Sequence, residues 1–466
     1  MTPSSSPVFP TNRRRLAVIS RRLLTLGVLL GLGRLAPPGR AAPATGPATD
    51  IGLCASIKSY LPPAELQRRV DLMKAAGINF VRTDFTWRGI EARRGAYNFE
   101  GHDTMMRVAE RNGIFVLGLI SHVPKWAVPI TDHLDEWLAF VEATVKRYPQ
   151  VRYWEVFNEP NLQNFWGSKP DPAGYAKLLR LTYARIKAVD PALFVISGGL
   201  SGGGTKAGGY AGAYAEPMFA AGIAGAYDAL AYHPYRYPHA PEERHHATNT
   251  FVPDKPTLEE VIGKYHALMV ADGAGDKPMW ITECGYTSYP GRDNSDGAKF
   301  GTGRNLGVSD EEQADFLPRS ILLSFQHGVS TWMWFTTVTP EKNPDDKEHW
   351  FGIVHPDYTP RPAWHALKTL RRAYPAGSAL RKDRYLHEPI YRLAWQRPDG
   401  KTGWALWIAE RGAKREIALS LRGSVVESYD AVGEPVVLQI AAGRTTATLS
   451  GRMLYLIGPE AIEILP

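Results

Sequence analysis

Eight short apolar runs recur along the chain before about residue 340: Ile51–Ser56, Phe80–Phe85, Ile114–Ile120, Val151–Phe157, Leu193–Ser197, Ala229–His233, Met279–Thr282 and Thr331–Phe335. They are rich in β-branched and aromatic residues and too short for buried helices, so they read as buried strands. Helical stripes separate them. Leu66, Val70 and Met73 share one face ahead of a Gly77 stop, and Trp137, Val141 and Val145 form a second stripe before Tyr148-Pro149. Thr257 with Glu260, and Ser309 with Glu312, have the spacing of capping boxes. Strands returning every roughly 30–50 residues, each gap holding a helix, predict a (β/α)8 TIM barrel over residues 50–378. An open doubly wound sheet is the competitor, but no phosphate fingerprint accompanies these strands. The glycine-rich Gly198–Gly209 stretch lacks Gly-Lys-Ser/Thr and opens no clear helix, so it reads as a flexible loop.

After about Lys382 the pattern shortens. Ile390–Gln396, Thr402–Ile408, Ile417–Leu421, Val425–Tyr429, Val436–Ile440, Thr445–Leu449 and Met453–Ile457 are short segments with turns between them. That spacing predicts a small all-β sandwich over residues 382–466, packed on the barrel.

Charge changes the picture in one respect. A net charge of +7 invites a nucleic-acid partner, but residues 1–49 hold seven Arg and no acid. Without those seven, the 54 basic residues fall to 47, equal to the 47 acidic ones, and the argument for nucleic acid goes with them. The same 49 residues have the layout of an export signal: Arg13 to Arg22, then an apolar run from Leu23 to Gly33, then small residues at Ala42-Pro43-Ala44. Residues 1–44 are therefore expected to be an export signal peptide. Ser20-Arg21-Arg22-Leu23-Leu24 resembles the twin-arginine pattern, and the general secretory route stays open. The expected destination is periplasmic or extracellular. No other apolar run is long enough to cross a membrane, so no stable span is expected after cleavage. Cys54 and Cys284 are the two cysteines, and at strand ends two strands apart they are not expected to form a disulfide.

The chemistry sits at strand ends. Tyr153-Trp154-Glu155-Val156-Phe157-Asn158-Glu159-Pro160-Asn161 begins as a buried strand and stops at a proline, with an amide and a carboxylate at its tip. Pro278-Met279-Trp280-Ile281-Thr282-Glu283-Cys284-Gly285 repeats the design. One Glu at a strand end is usually just solvated. Two on buried strands of one barrel are the equipment of glycoside hydrolysis, one as acid and the other as base or nucleophile. In a barrel of this kind the site lies at the C-terminal ends of the strands. Arg82-Thr83-Asp84-Phe85-Thr86-Trp87, His122 with Trp126, His233-Pro234-Tyr235, and Trp332 with Trp334 all fall there. Taken singly, each has a structural explanation; a shared rim makes them a candidate set.

Trp154-Glu155-Val156-Phe157-Asn158-Glu159-Pro160-Asn161, His233-Pro234-Tyr235 and Trp280-Ile281-Thr282-Glu283 together resemble clan A glycoside hydrolases, and family 39 most. Family 5 shares Asn-Glu-Pro and His-x-Tyr and is the close rival. The resemblance covers nearly the whole chain after the leader. It implies a retaining O-glycosyl hydrolase in which Glu159 is the general acid/base and Glu283 the nucleophile. It also implies that Asn158 bonds the sugar 2-hydroxyl, while Tyr235 and Arg82 hold the nucleophile ionised and aimed. Substrate-binding residues are then expected at Asn158, Arg82, His122, Trp126, His233, Tyr235 and Trp334. Glu155 is expected to be a buried structural carboxylate paired with a base. Cys284, where some families have Gly or an aromatic, is expected to pack rather than react.

Substrate is an expectation of another kind. Trp87, Trp126, Trp166, Trp334 and Trp350 fall in segments that would line a cleft, where flat rings stack on sugars. That spread suggests a polymer in a groove, hence an endo-acting enzyme on a bacterial or plant polysaccharide. An exo-acting β-xylosidase or β-glucosidase, or a non-catalytic sugar-binding protein on the same fold, are the alternatives. No cofactor and no metal is expected; His239, His245 and His246 form no metal-ligand motif and read as a solvated loop. The chain is expected to act as a monomer on a polysaccharide or oligosaccharide. The long Pro- and Gly-rich loops Arg236–Pro256 and Tyr286–Val308 are expected to wall the groove.

Overall fold

The computed structural model describes residues 51–202, 211–244, 256–289, 307–343, 346–382, 385–387 and 389–465, without the side chains of 211, 212 and 385–387. The leader, most of the Gly198–Gly209 stretch, His245 and His246, and the middles of the two long loops lie outside the described residues.

Eight parallel strands close into a barrel: β1 Ile51–Cys54, β2 Phe80–Thr86, β3 Phe115–Ser121, β4 Tyr153–Asn158, β5 Phe194–Ser201, β6 Leu230–His233, β7 Met279–Cys284 and β8 Val329–Trp334. Closure runs through β1 and β8, where Ile51 pairs with Trp332 and Leu53 with Trp334. The period of two in each strand sorts side chains into two cores. Phe80, Leu117, Ile196, Ala231, Trp280 and Met333 point inward and plug the lower barrel. Val81, Val116, Trp154, Val195, Ile281 and Trp332 point outward to the helices. The barrel is therefore filled with side chains below, and polar groups appear only near its C-terminal mouth.

The helices follow the expected stripes. Leu66, Val70 and Met73 are buried along Pro63–Ala75, and Gly77 behind them has φ +74°. Both capping boxes form, at Thr257 with Glu260 and at Ser309 with Glu312. One boundary changes meaning. Gly198 and Gly199, expected in a flexible loop, belong to β5, which runs on to Ser201. A Cβ on Gly199 would stand 2.0 Å from His233 Nε2, so the glycine lets β6 bring that imidazole against the neighbouring strand.

Beyond the helix Pro362–Ala373 come β9 Ala379–Leu380, β10 Tyr385–His387, β11 Ile390–Gln396, β12 Thr402–Ile408, β13 Lys414–Arg422, β14 Glu427–Asp430, β15 Arg444–Ser450, β16 Leu454–Ile457 and β17 Ala461–Ile464. They form two sheets, one ordered β10-β11-β12-β16-β14 with β9 on β11, the other β15-β13-β17. Trp404, Leu406, Leu419, Leu449, Leu456 and Ile462 interdigitate between them, as in a sandwich. Val436–Ile440, expected as a strand, is not one. Val436 donates to Ser428 O, but Pro435 precedes it without an N–H and Val437 points into solvent, so no ladder extends. The sandwich is bolted to the barrel through the buried Glu242 carboxylate, which accepts from Arg319 Nε at 2.8 Å and Trp407 Nε1 at 2.7 Å. Among the described residues no helix is long and apolar enough to cross a membrane.

Candidate active site

The end of β4 breaks the alternation that the strand begins with. Trp154 and Val156 face the helices and Glu155 faces inward, so Phe157 should also face inward. Instead Phe157 has φ +77° and packs outward against Trp137 and Trp166, which leaves Asn158 and Glu159 both aimed into the mouth. Glu159 itself has φ +40°, and its N–H donates to Gly199 O at 3.1 Å. Left-handed backbone at residues with a Cβ costs of order 1–3 kcal/mol each and persists only where packing enforces it. β7 solves the same problem differently. Trp280 and Thr282 face inward, and a register shift against β8 between Ile281 and Cys284 turns Glu283 into the mouth while Cys284 packs among the outer core.

The two carboxylates then meet. Oxygens of Glu159 and Glu283 and a nitrogen of His233 all lie within 4.8 Å of one another. Their partners differ. Glu283 Oε2 accepts from Arg82 Nη1 at 2.8 Å, its Oε1 accepts from the Tyr235 hydroxyl at 2.8 Å, and the Cys54 thiol approaches Oε2 at 3.8 Å. Burial pushes the Cys54 thiol and the Tyr235 phenol up, so both stay protonated and act as donors. Glu159 is bonded by His233 Nδ1 at 3.0 Å.

Arg82 organises the floor of the site. Besides Glu283 it bonds Glu155 twice, Nε at 2.6 Å and Nη2 at 3.0 Å, and Nη2 also donates to Asn158 Oδ1 at 2.8 Å. With its oxygen tied to Arg82, Asn158 has its amide N–H groups left to offer. Glu155 is fully buried, as expected of a structural carboxylate. Burial opposes its charge, yet Arg82 and His233 outweigh burial and hold it down at about 2. Burial likewise opposes a charge on His233, but its bonds to Glu155 and Glu159 win and push it up to about 9. The His233 ring is fixed from its other side by Thr282 Oγ1 at 3.0 Å, which in turn donates to Glu155 Oε1 at 3.0 Å.

These distances correct three of the substrate-binding expectations. Arg82 and His233 lie beneath the two carboxylates with their polar atoms spent on protein groups, so they hold the site rather than touch a sugar. Trp334 points outward from β8, fully buried and stacked on Tyr286 at 6.2 Å; Met333 is the inward residue there. Trp332, Trp87 and Trp166 are buried in the outer core as well. Of the five expected platforms only Trp126 and Trp350 are partly exposed. His122 stands at the tip of β3, φ +63°, with Nδ1 at 2.6 Å from Ser121 Oγ and its ring edge-on to Phe165.

Sequence reasoning missed one group beside the site. Lys347 Nζ bonds the Tyr237 hydroxyl and lies 3.3 Å from Glu348 Oε1, while Tyr237 packs edge-on against Tyr235. No motif marks Lys347; it reaches the mouth only because its carbonyl and that of Trp350 are pinned to Thr287 and Ser288 in the loop after β7. Cys54 was legible only as a strand-end residue. Glu159, His233 and Glu283 are close enough to share an ion, but Glu283 already accepts from a guanidinium and His233 is spent at both nitrogens, so the arrangement is a hydrogen-bonded acid pair. Both cysteines are free.

Comparison with known proteins agrees with the fold. A family model described as beta-galactosidase, of glycoside hydrolase family 42, matches residues 60–130. A family 39 glycoside hydrolase from the gut symbiont Bacteroides cellulosilyticus is similar over 88% of this chain and 80% of its own, with 25% identity and a TM-score of 0.69. A monomeric beta-xylosidase from Caulobacter crescentus is 16% identical over 88% of this chain and 96% of its own, TM-score 0.56. The catalytic domain of family 30 xylanase C from Talaromyces cellulolyticus is 13% identical over 89% and 96%, TM-score 0.59. The resemblance to clan A glycoside hydrolases, with family 39 among them, thus extends from the motifs to the barrel and the β-sheets behind it.

Proposed function

We propose that this protein is a retaining glycoside hydrolase that cuts polysaccharide internally, with Glu283 as nucleophile and Glu159 as acid/base. The observation that carries the reading is the pair itself: two carboxylates at the tips of β4 and β7 with oxygens within 4.8 Å, one bonded to a guanidinium and a phenol, the other to an imidazole. Retaining enzymes set their carboxyls about 5–5.5 Å apart, while inverting ones leave about 6.5–9.5 Å for a water. A Glu283 oxygen attacks the anomeric carbon as Glu159 gives its proton to the departing glycosidic oxygen. Glu159 then takes a proton from the water that releases the sugar. Arg82 keeps a positive charge at Glu283, favouring the ionised nucleophile. Asn158 offers its amide N–H to the 2-hydroxyl, whose bonds strengthen in the transition state.

The internal mode rests on less than five tryptophans now. Trp126 beyond β3 and Trp350 beyond β8 are the partly exposed rings of that set, and we take them as the candidate sugar platforms. The leader's layout adds export, which would bring such an enzyme to polysaccharide outside the cell. Incubation with a panel of polysaccharides, with products sized over time, tests the proposal. Mixed oligosaccharides and an early viscosity drop are expected; single sugars alone from the first minutes would replace the internal mode by an exo one.

A further inference from the structure

One carboxylate in the mouth accepts no hydrogen bond from the described residues. On β2, Arg82 points inward and Thr83 and Phe85 point outward, so the alternation turns Asp84 into the mouth one step above Arg82. The other acids described at the site each have a protein partner. Glu155 accepts from Arg82, Thr282 and the Gly199 N–H; Glu283 accepts from Arg82 and Tyr235; Glu159 is bonded to His233. Asp84 is partly buried, yet no donor among the described residues reaches its carboxyl oxygens. Only its backbone oxygen is engaged, by His102 Nε2 at 3.2 Å. Beside it, β3 pairs in register as far as Ser121 and is followed by His122, whose ring is held by Ser121 and Phe165 and feels the Asp84 charge. Two adjacent strand tips thus offer an imidazole and an acceptor-only carboxylate, both half-withdrawn from water.

We propose that Asp84 is a specificity-determining residue that selects a neutral sugar unit at this end of the cleft and turns away a uronate. The inference rests on the glycosidase reading above. A carboxylate offers two oxygens and no donor, which suits two neighbouring hydroxyls of one sugar ring. A partly desolvated carboxylate facing a uronate would set two like charges together where water screens them poorly. The neighbouring guanidinium cannot neutralise it, because Arg82 is fully committed to Glu155, Glu283 and Asn158. Sites that hydrogen-bond a substrate hydroxyl reject partners that cannot satisfy them by large factors.

The test uses purified full-length protein and chromogenic mono- and disaccharide glycosides in matched neutral and uronic forms, both anomers. Wild type is expected to favour the neutral member at least 100-fold in kcat/KM. Asp84→Asn keeps shape, removes the charge and replaces one acceptor oxygen by a donor, so it should lower neutral kcat/KM less than Asp84→Ala does and, by no longer repelling the uronate, shrink the neutral-to-uronic ratio at least tenfold. Asp84→Ala should lower neutral kcat/KM at least 30-fold. Unfolding curves for both variants guard against a folding defect, and the isosteric Asn variant carries the test if the Ala variant unfolds. A neutral-to-uronic ratio unchanged in Asp84→Asn, or a wild type that takes uronides equally well, overturns the inference and leaves the glycosidase reading standing. A wild type inert on every glycoside and on the polysaccharide panel as well overturns both.

Discussion

At the tip of β4 the backbone turns left-handed twice, at Phe157 and at Glu159; at the tip of β7 no residue has a positive φ, and a shift of register against β8 does the turning. Both devices deliver one glutamate into the same mouth, but they surround it differently. The β7 carboxylate meets a guanidinium that cannot lose its charge and two neutral donors, the Tyr235 hydroxyl and the Cys54 thiol. The β4 carboxylate meets a single partner, an imidazole that, against burial, Glu155 and Glu159 push up to about 9 and that Thr282 holds from its other side. Three donors, one of them a guanidinium, converge on the β7 carboxylate and one imidazole on the β4 carboxylate, and this contrast supports the proposed roles of nucleophile and acid/base.

The largest expected effects separate the tips directly. Glu283→Ala should remove more than about 10⁴-fold of turnover on every substrate, because nothing else can form the covalent intermediate. Glu159→Ala should cost about 10²–10⁴-fold where the leaving group needs a proton, and far less with an activated aryl leaving group. Azide should rescue that variant by attacking the covalent intermediate, giving a glycosyl azide of retained configuration, whereas azide rescue of Glu283→Ala would give the inverted one. An inverted azide from Glu159→Ala would exchange the two assignments.

Tyr235→Phe sharpens the comparison on the β7 side. It deletes one donor to the Glu283 charge, and hydrogen bonds to charged groups are worth about 1.5–3 kcal/mol, so kcat/KM should fall by roughly 10–100-fold. Steady-state kinetics on an activated substrate is the check, and an unchanged kcat would remove Tyr235 from the role. On the β4 side, Gly199→Ala places a Cβ 2.0 Å from His233 Nε2. Overpacking of that kind typically costs about 1–3 kcal/mol, so thermal unfolding should come several degrees lower.

The smallest effect is on pH. His233 is raised to about 9 from its ordinary value, so the stability it contributes is full below about 6.5 and is lost as pH rises through about 9. Denaturation measured between these limits should show that decline, and His233→Asn should flatten it. Glu155, held at about 2, contributes in the opposite sense: its share is present above about 4.5 and fades as pH falls towards 2.

Much of this was legible in the chain. Apolar runs and helical stripes are local, so the barrel, the capping boxes and both glutamates could be read directly. Glu155 was legible as a buried carboxylate needing a base, and Arg82 is that base. The misplaced tryptophans have one cause. Whether Trp332 and Trp334 face a sugar or a helix depends on a single step of strand register, and a tryptophan reads the same on either face. Phe157 hides the converse: the pleat would turn it inward, and only its left-handed backbone, invisible in sequence, turns it out. Lys347 joins the site through a turn held by Thr287 and Ser288 across the mouth, a contact between distant segments that no motif records.

The central claim is that Glu283 carries the sugar. A 2-deoxy-2-fluoro glycoside with an activated leaving group, matched to whichever sugar the substrate panel identifies, should trap the intermediate because the fluorine slows its release. Intact-protein mass spectrometry is expected to show one glycosyl unit added per chain, and peptide mapping to place it on Glu283. A label on Glu159, or full turnover to product of inverted configuration with no adduct, would contradict the account.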